Sequence, residues 1–297
     1  MKKYSIPNLD IFISKTCNLS CSGCVTFSDS RLVKGITRYN QEHVTFWSKY
    51  LDPSAINMFG GEPLINPDLE KWIAGCREAW PYATINIQTN GILLQEKHYQ
   101  IMQDYNVNMI ISQHMPDYAD TVTAFVDYFK AQGTYKLLEF DGVPTVNGYG
   151  KEMGWVNQQG NYVHVSETFN ESVWWPFYQG TATESKPSFN YFSNDFESSW
   201  TTCVARTFVN MYDGNLYKCP AVVGLLINGP ALGLDKDPDW ESYFSQYKRL
   251  NINSDHATIK EWITDQAGPQ SCCNMCSRSV SEDYEAQTVV NSKVKLS

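Results

Sequence analysis

Leu9-Asp-Ile-Phe-Ile-Ser14 leads through Lys15-Thr16 into Cys17-Asn-Leu-Ser-Cys21-Ser-Gly-Cys24. The apolar run has strand length, and it delivers the chain directly into a loop carrying three thiols at the spacing C-x3-C-x2-C. Three thiolates so close together can wrap one cubane iron–sulfur cluster and leave its fourth iron without a protein ligand. Zinc is the competing reading. Its structural sites want four ligands, commonly as paired C-x2-C units, so a triplet would need its fourth ligand from elsewhere in the chain.

Outward from this loop, short apolar runs alternate with amphipathic stretches. Asn40–Leu51 reads as a helix and Ala55–Phe59 as a second strand. Asn66-Pro67-Asp68 offers an N-cap, a proline for the first helical position and an acid for the positive helix end, and the helix that follows runs to Trp80 before Pro81. Thr84–Gln88 is a third strand, Leu94–Tyr105 a helix, Val107–Ser112 a fourth strand, Thr121–Gln132 a helix and Lys136–Phe140 a fifth strand. This order implies a parallel sheet with right-handed crossovers, curling toward a partial or full barrel, with functional loops at the C-terminal strand ends.

Those ends carry the next motifs. Met58-Phe59-Gly60-Gly61-Glu62-Pro63 closes the second strand, Gln88-Thr89-Asn90-Gly91 the third and Ser112-Gln113-His114 the fourth. Taken in this order, C-x3-C-x2-C and then Gly-Gly-Glu-Pro, the chain from its start to Phe140 resembles the radical S-adenosylmethionine (radical SAM) superfamily. The resemblance implies an α/β fold, a partial (β/α)6 TIM-like barrel with a small C-terminal α+β domain. It also implies that Cys17, Cys21 and Cys24 hold a 4Fe-4S cluster whose free iron chelates S-adenosylmethionine, reductively cleaved to a 5′-deoxyadenosyl radical. Gly60, Gly61, Glu62 and Pro63 would receive the amino group of that cofactor, and Asn90 and Ser112 its ribose or carboxylate. Asn90-Gly91 is equally a tight turn, and His114 suits a hydrogen-bonded loop better than a catalytic base. Many family members carry an aromatic residue before the third cysteine. Gly23 stands there, which leaves the adenine contact open, with Phe27 a candidate.

The nine cysteines include a second group, Cys203, Cys219, Cys272, Cys273 and Cys276, and only Cys76 stands apart, inside an expected helix as a small buried hydrophobe. Asp213-Gly214-Asn215 is a hairpin signal between Cys203 and Cys219, so both thiols are expected at one end of that hairpin, with Cys273-Asn-Met-Cys276 completing four ligands. Zinc suits four cysteines as well as a cluster does. Beside a radical SAM core, the spacing resembles the auxiliary-cluster half of SPASM domains. With no cysteine after Cys276 it is closer to the shorter twitch version, which holds one auxiliary 4Fe-4S cluster. Cys273 fits that pattern better than Cys272.

These readings divide the chain into a core over 1–200, an auxiliary-cluster domain over 201–280 and a loosely packed polar tail over 281–297. The net charge of −9 argues against a general nucleic-acid binder, no apolar stretch is long enough for a bilayer, and the N-terminus lacks a secretory signal, so a cytoplasmic enzyme is expected. The expected reaction is a two-electron oxidation of a small polyol or amino-sugar, with the auxiliary cluster as electron acceptor and flavodoxin or ferredoxin as reductant. Glu139, Asp141 and Arg206 are candidates for the group that takes the proton. Modification of a peptide or protein side chain is the alternative; the aromatic-rich 166–200 segment keeps it open, although no room is expected for an N-terminal peptide-binding domain. An electron carrier or zinc-stabilised binding protein is the third.

Overall fold

The computed structural model describes residues 3–21, 24–28, 32–138, 152–167, 173–174, 196–203, 205–238, 240–275, 285–286 and 289–291. Its framework is one nine-stranded sheet. β1 (Tyr4–Ser14), β3 (Leu51–Gly60), β4 (Thr84–Thr89), β5 (Val107–Gln113), β8 (Tyr162–Glu167) and β10 (Phe208–Tyr212) are parallel, in the spatial order β10-β1-β3-β4-β5-β8. Antiparallel strands border both edges: β11 (Asn215–Tyr217) beside β10, and β7 (Glu152–Asn157) then β6 (Tyr135–Leu138) beyond β8. Among the described residues the edges β11 and β6 do not pair, so the sheet is an open, parallel-dominated array.

Successive side chains of a strand face opposite sides. On β1, Leu9, Ile11 and Ile13 join a core with Val44 and Trp47 of α1 (Gln41–Ser48), Trp72 and Cys76 of α2 (Leu69–Ala79), Met102 of α3 (Glu96–Tyr105) and Phe125 and Phe129 of α4 (Ala119–Ala131). Cys76 is fully buried there, as expected of a small hydrophobe. The other face carries a polar rung. Asn57 Nδ2 donates to Asp10 Oδ1 (2.6 Å), Asn86 to Asn57 (2.8 Å), and Asn108 and the Tyr162 hydroxyl to Asn86 (both 3.0 Å). Five neighbouring strands are thereby held in register, because a slip by one residue would turn every amide to the wrong face.

The expected fifth parallel strand is corrected. Residues 135–138 form β6, the outermost antiparallel strand, and β8 takes the place beside β5. Val163 and Val165 of β8 are buried, as an interior strand with one face on the core requires, whereas Leu137 of β6 is 53% exposed, as at an edge. The sixth parallel strand, β10, pairs with β1. Its hairpin to β11 turns at Asp213 and Gly214, both with positive φ, the left-handed pair that the Asp-Gly signal requires. The Gly214 carbonyl accepts from Trp47 Nε1 (2.8 Å), docking the hairpin on α1.

After the hairpin come α6 (Pro220–Asn228), α7 (Glu241–Gln246) and α8 (His256–Gln266). Apolar residues of α6, with Leu232, Leu234 and Trp240 and with Tyr243 and Phe244 of α7 packed against them, make a second core that also takes Phe12, Phe27 and Val33 from the N-terminal part of the chain, whereas Ile259 of α8 joins the first core. The tail expected to pack loosely contains two short strands: β12 (Glu285–Ala286) pairs with β9 (Val173–Trp174), and β13 (Val289–Asn291) with β2 (Leu19–Cys21) of the cysteine loop. Val289-Val290 has the β-branched character of a strand, and backbone pairing brings this part of the tail back to the core. Among the described residues no helix is long and apolar enough to cross a membrane.

Candidate active site

The C-terminal ends of β1, β3, β4 and β5 surround a cavity of about 120 Å³. Cys17, Cys21 and Cys24 line it together with Gly60, Gly61, Asn90, Ser112 and His114. Two motifs separated along the chain meet because β1 and β3 are neighbours. Gly61 N donates to the Ser14 carbonyl (2.6 Å) and Glu62 N to the Thr16 carbonyl (2.9 Å). The glycines are required by that contact. A Cβ on Gly60 would stand 2.3 Å from the Ser14 oxygen and one on Gly61 2.4 Å from the Thr16 oxygen. Gly60 also has a positive φ that L side chains rarely adopt. The sequence suggests close approach to a ligand; the structure adds close approach to the backbone that launches the cysteine loop.

Glu62 and Pro63 stand behind the cavity wall. The Glu62 carboxylate is fully buried and accepts from Leu64 N (2.9 Å), Thr89 Oγ1 (2.8 Å) and Asn90 N (2.8 Å), tying the end of β4 to the Gly-Gly turn. Burial pushes its pKa up to about 7 against the pull of those three hydrogen bonds. Asn90 Nδ2 then reaches Asn18 Oδ1 (2.6 Å) and the Cys17 sulfur (3.8 Å), and Leu19 N points at the same sulfur (3.4 Å). Burial, with the Glu62 and Cys24 charges nearby, raises the Cys17 pKa, so metal must displace its proton. Thr89 and Asn18 are the residues that sequence reasoning missed. Thr89 lies inside a motif already singled out, but its hydroxyl matters only through its contact with Glu62.

On the other side, Cys24 Sγ is 3.2 Å from Thr26 Oγ1, which donates to Ser28 Oγ (3.0 Å). α6 braces this segment: Asn228 Nδ2 donates to the Thr26 carbonyl (2.7 Å) and to Ser28 Oγ (3.2 Å), and a Cβ on Gly224 would stand 2.6 Å from Thr26 Cα. Phe27, the candidate adenine contact, is 1% exposed, lies edge-on to Trp240 at 5.8 Å in the second core and does not line the cavity. His114 contributes its backbone N–H to the Tyr118 hydroxyl (2.7 Å) and lines the cavity.

Cys203, Cys219, Cys272 and Cys273 come together from three separate segments. Cys203 precedes β10, Cys219 caps the N-terminus of α6, and Cys272 and Cys273 lie in the 3₁₀ turn Ser271–Met275. Three of them feel another's charge: Cys203 and Cys219 feel Cys273, and Cys272 feels Cys219. A hydrogen bond from Cys272 lowers the Cys273 pKa and raises that of Cys272. The described cysteines form no disulfide with one another, and among the described residues no three His, Cys, Asp or Glu side chains converge on the position of a single ion. The N-terminal thiols face a shared volume, the arrangement that suits a cluster in which each thiolate holds a different iron. Arg206 is exposed, donates to the Thr201 carbonyl and lies over Trp200, away from the cavity. Cys276, Glu139, Asp141, Gly23 and most of the aromatic-rich segment, including Trp175, Phe177 and Tyr191, lie outside the described residues.

Residues 11–126 match the family model described as Radical SAM superfamily. This part of the chain is similar to radical SAM domains. It is 30% identical over 105 residues to a probable GTP 3′,8-cyclase of Archaeoglobus fulgidus, an alignment covering 35% of this chain and 34% of that protein. The chain thus spans about a third of the length of this curated relative. Among solved structures, BtrN in complex with AdoMet and 2-DOIA is similar with a TM-score of 0.48 and 12% identity, covering 95% of this chain and 98% of that one. Native anSMEcpe with bound AdoMet and Cp18Cys peptide is similar with a TM-score of 0.34 and 19% identity over 42% and 40% of the two chains. The Gly-Gly-Glu turn and the cysteine loop both fall within the matched residues.

Proposed function

We propose that the chain is a radical SAM oxidoreductase that oxidises a small polyol or amino-sugar by two electrons. The observation that carries this reading is the cavity shared by Cys17, Cys21, Cys24, Gly60, Gly61, Asn90 and Ser112. In it, the three cysteines would hold three irons of a 4Fe-4S cluster, and the glycine turn with Asn90 and Ser112 would hold S-adenosylmethionine; when bound, these groups supply a 5′-deoxyadenosyl radical that removes a substrate hydrogen. Glu62 fixes the turn from behind and Asn90 orients Cys17, so the cofactor wall is set before anything binds.

Cys203, Cys219, Cys273 and Cys276 are the proposed ligands of a second 4Fe-4S cluster, which would supply an acceptor for the electron left on the substrate. Cys273 is preferred to Cys272 because Cys273-Asn-Met-Cys276 keeps the C-x2-C spacing. The segment 201–280 would form this auxiliary unit and the segment 1–200 the core. α6 supports the electron route, since it carries Cys219 at its N-cap and braces the Cys24 loop through Gly224 and Asn228. Glu139 and Asp141 remain the proposed proton acceptors. Arg206 is permanently protonated and suits an anionic or hydroxyl partner better than the role of base. A flavodoxin or ferredoxin in the cytoplasm would supply the reducing electron.

Anaerobic protein, incubated with dithionite, S-adenosylmethionine and deuterated polyols or amino-sugars, tests the reading. It stands if 5′-deoxyadenosine forms and carries deuterium from one of them with a carbonyl product. It falls if 5′-deoxyadenosine takes deuterium only from a peptide, or does not form in protein loaded with iron and sulfide.

A further inference from the structure

The open face of the sheet continues past the cavity. Met109 and Ile111 of β5, Val163 and Val165 of β8 and Trp155 of β7 join the helix-side core, so the residues between them face the other way. That opposite face carries the polar rung, as the Tyr162 contact with Asn86 shows. β8 pairs directly with β5, which places His164 beside Ile110 and Ser166 beside Ser112, a residue that lines the cavity. From strand spacing and rise, the Cα atoms of His164 and Ser112 are about 8 Å apart. On its far side, β8 meets β7, with Gly154 opposite His164 and Glu152 opposite Ser166. The glycine leaves no side chain across from the ring on β7, and His164 meets Glu152 on the diagonal, with Nε2 and Oε2 3.6 Å apart. Burial changes along this face. Asn86 and Asn108 are buried, whereas Ile110, Ser112 and Ser166 are half-buried and the His164 and Glu152 side chains are each 20% exposed.

We infer that His164 is a catalytic residue, the group that takes the hydroxyl proton of the substrate, and that Glu152 is its positioning residue. The inference rests on the two-electron oxidation proposed above. Once a hydrogen atom has left a carbinol carbon, that carbon holds one unpaired electron and still bears its hydroxyl. The O–H bond then breaks. Its proton passes to the imidazole, one electron passes to an acceptor of the iron–sulfur class, and C=O is left. An imidazole can accept that proton at neutral pH, and a carboxylate at ion-pair distance stabilises the positive charge the ring acquires. The pair is not needed to hold the strands, since five registered residue pairs already join β7 to β8 and a partly exposed ion pair adds little. The buried carboxyls nearby are engaged elsewhere: Glu62 accepts three hydrogen bonds behind the cavity wall, and Asp10 accepts from Asn57 in the rung below.

The test uses the anaerobically loaded full chain with dithionite, S-adenosylmethionine and a panel of deuterated cyclitols and amino-sugars, and reads the ratio of carbonyl product to deuterated 5′-deoxyadenosine. In His164→Gln that ratio should fall about a hundredfold, because a hydrogen is abstracted but the proton has no acceptor. Glu152→Gln should lower it about tenfold, Glu152→Asp should restore most of it, and added imidazole should raise it in His164→Ala. Thermal unfolding of each variant should stay close to wild type. If His164→Gln does not fold, the two Glu152 variants carry the test. An unchanged ratio in His164→Gln, or a fall of both products together with the melting temperature, overturns the inference. So does a lower ratio in Glu139→Gln, Asp141→Asn or His114→Gln with none in His164→Gln. No deuterium transfer from any of these compounds by the wild-type chain would instead overturn the proposed oxidation itself, whatever His164 does.

Discussion

The two cysteine groups are built in different ways. The N-terminal three sit on one loop, and neighbouring parallel strands fix that loop through backbone contacts too close for any side chain at Gly60 or Gly61. The C-terminal group is gathered from three distant segments by a hairpin, a helix N-terminus and a 3₁₀ turn. A site made by local spacing can be read from the chain; a site made by assembly depends on the core that assembles it. α6 joins them, because Cys219 lies at one end and the brace on Thr26 and Ser28 at the other.

The largest expected effect separates the two groups by chemistry. Cys24→Ala should abolish 5′-deoxyadenosine formation and reduce bound iron from roughly eight to roughly four per chain. Cys219→Ala should lose a similar amount of iron yet still form 5′-deoxyadenosine, without oxidised product. Equal behaviour of the two variants would remove the distinction between them.

Next in size is Gly61→Ala. Its Cβ meets the Thr16 carbonyl at 2.4 Å, and backbone on both sides must shift, so thermal unfolding should show a loss of about 4 kcal/mol, with the N-terminal cluster released. A melting curve matching wild type would show that the Gly-Gly turn is not under the steric constraint described.

Asp10→Asn asks whether the sheet frame carries a buried charge. Burial raises the Asp10 pKa from 3.8 to about 7, so the folded state favours the protonated form. Wild-type stability from this group is full below pH 3.8 and is lost as pH rises through about 7. The Asn variant should therefore gain up to about 4 kcal/mol at pH 8 and little at pH 4. Denaturant melts at the two pH values would contradict this if the gain were the same at both.

The smallest expected effect sharpens the link between the groups. Asn228→Ala leaves the Thr26 carbonyl without its donor and should cost about 1–3 kcal/mol. Although Asn228 lies in the C-terminal third, the N-terminal cluster should be lost first on dilution, followed by its absorbance. Preferential loss of the C-terminal cluster would show that α6 serves only its own side.

Much of the frame was legible in the chain. Apolar runs at β1, β3, β4 and β5, amphipathic stretches between them and the Asp-Gly turn of the hairpin each act over a few residues, and local propensity and periodicity report such signals directly. The segment 135–138 misled because a short apolar stretch does not reveal whether its neighbours will be parallel or antiparallel. The place of Phe27 in the second core was not legible, because its partner Trp240 lies far along the sequence. The inward turn of Glu62 and the Asn228 brace leave no local mark either.

The sequence by itself determined which atoms can do chemistry here: three closely spaced thiols, a glycine pair where backbone must pass backbone, and a second set of cysteines. Tertiary structure alone decided what surrounds the first set, a buried carboxyl on the Cys17 side and the Asn228 brace on the Cys24 side. The reason is physical: ligand identity is covalent and local, whereas the electrostatic environment of a buried site is the sum of groups brought from distant parts of the chain by the packing of strands and helices.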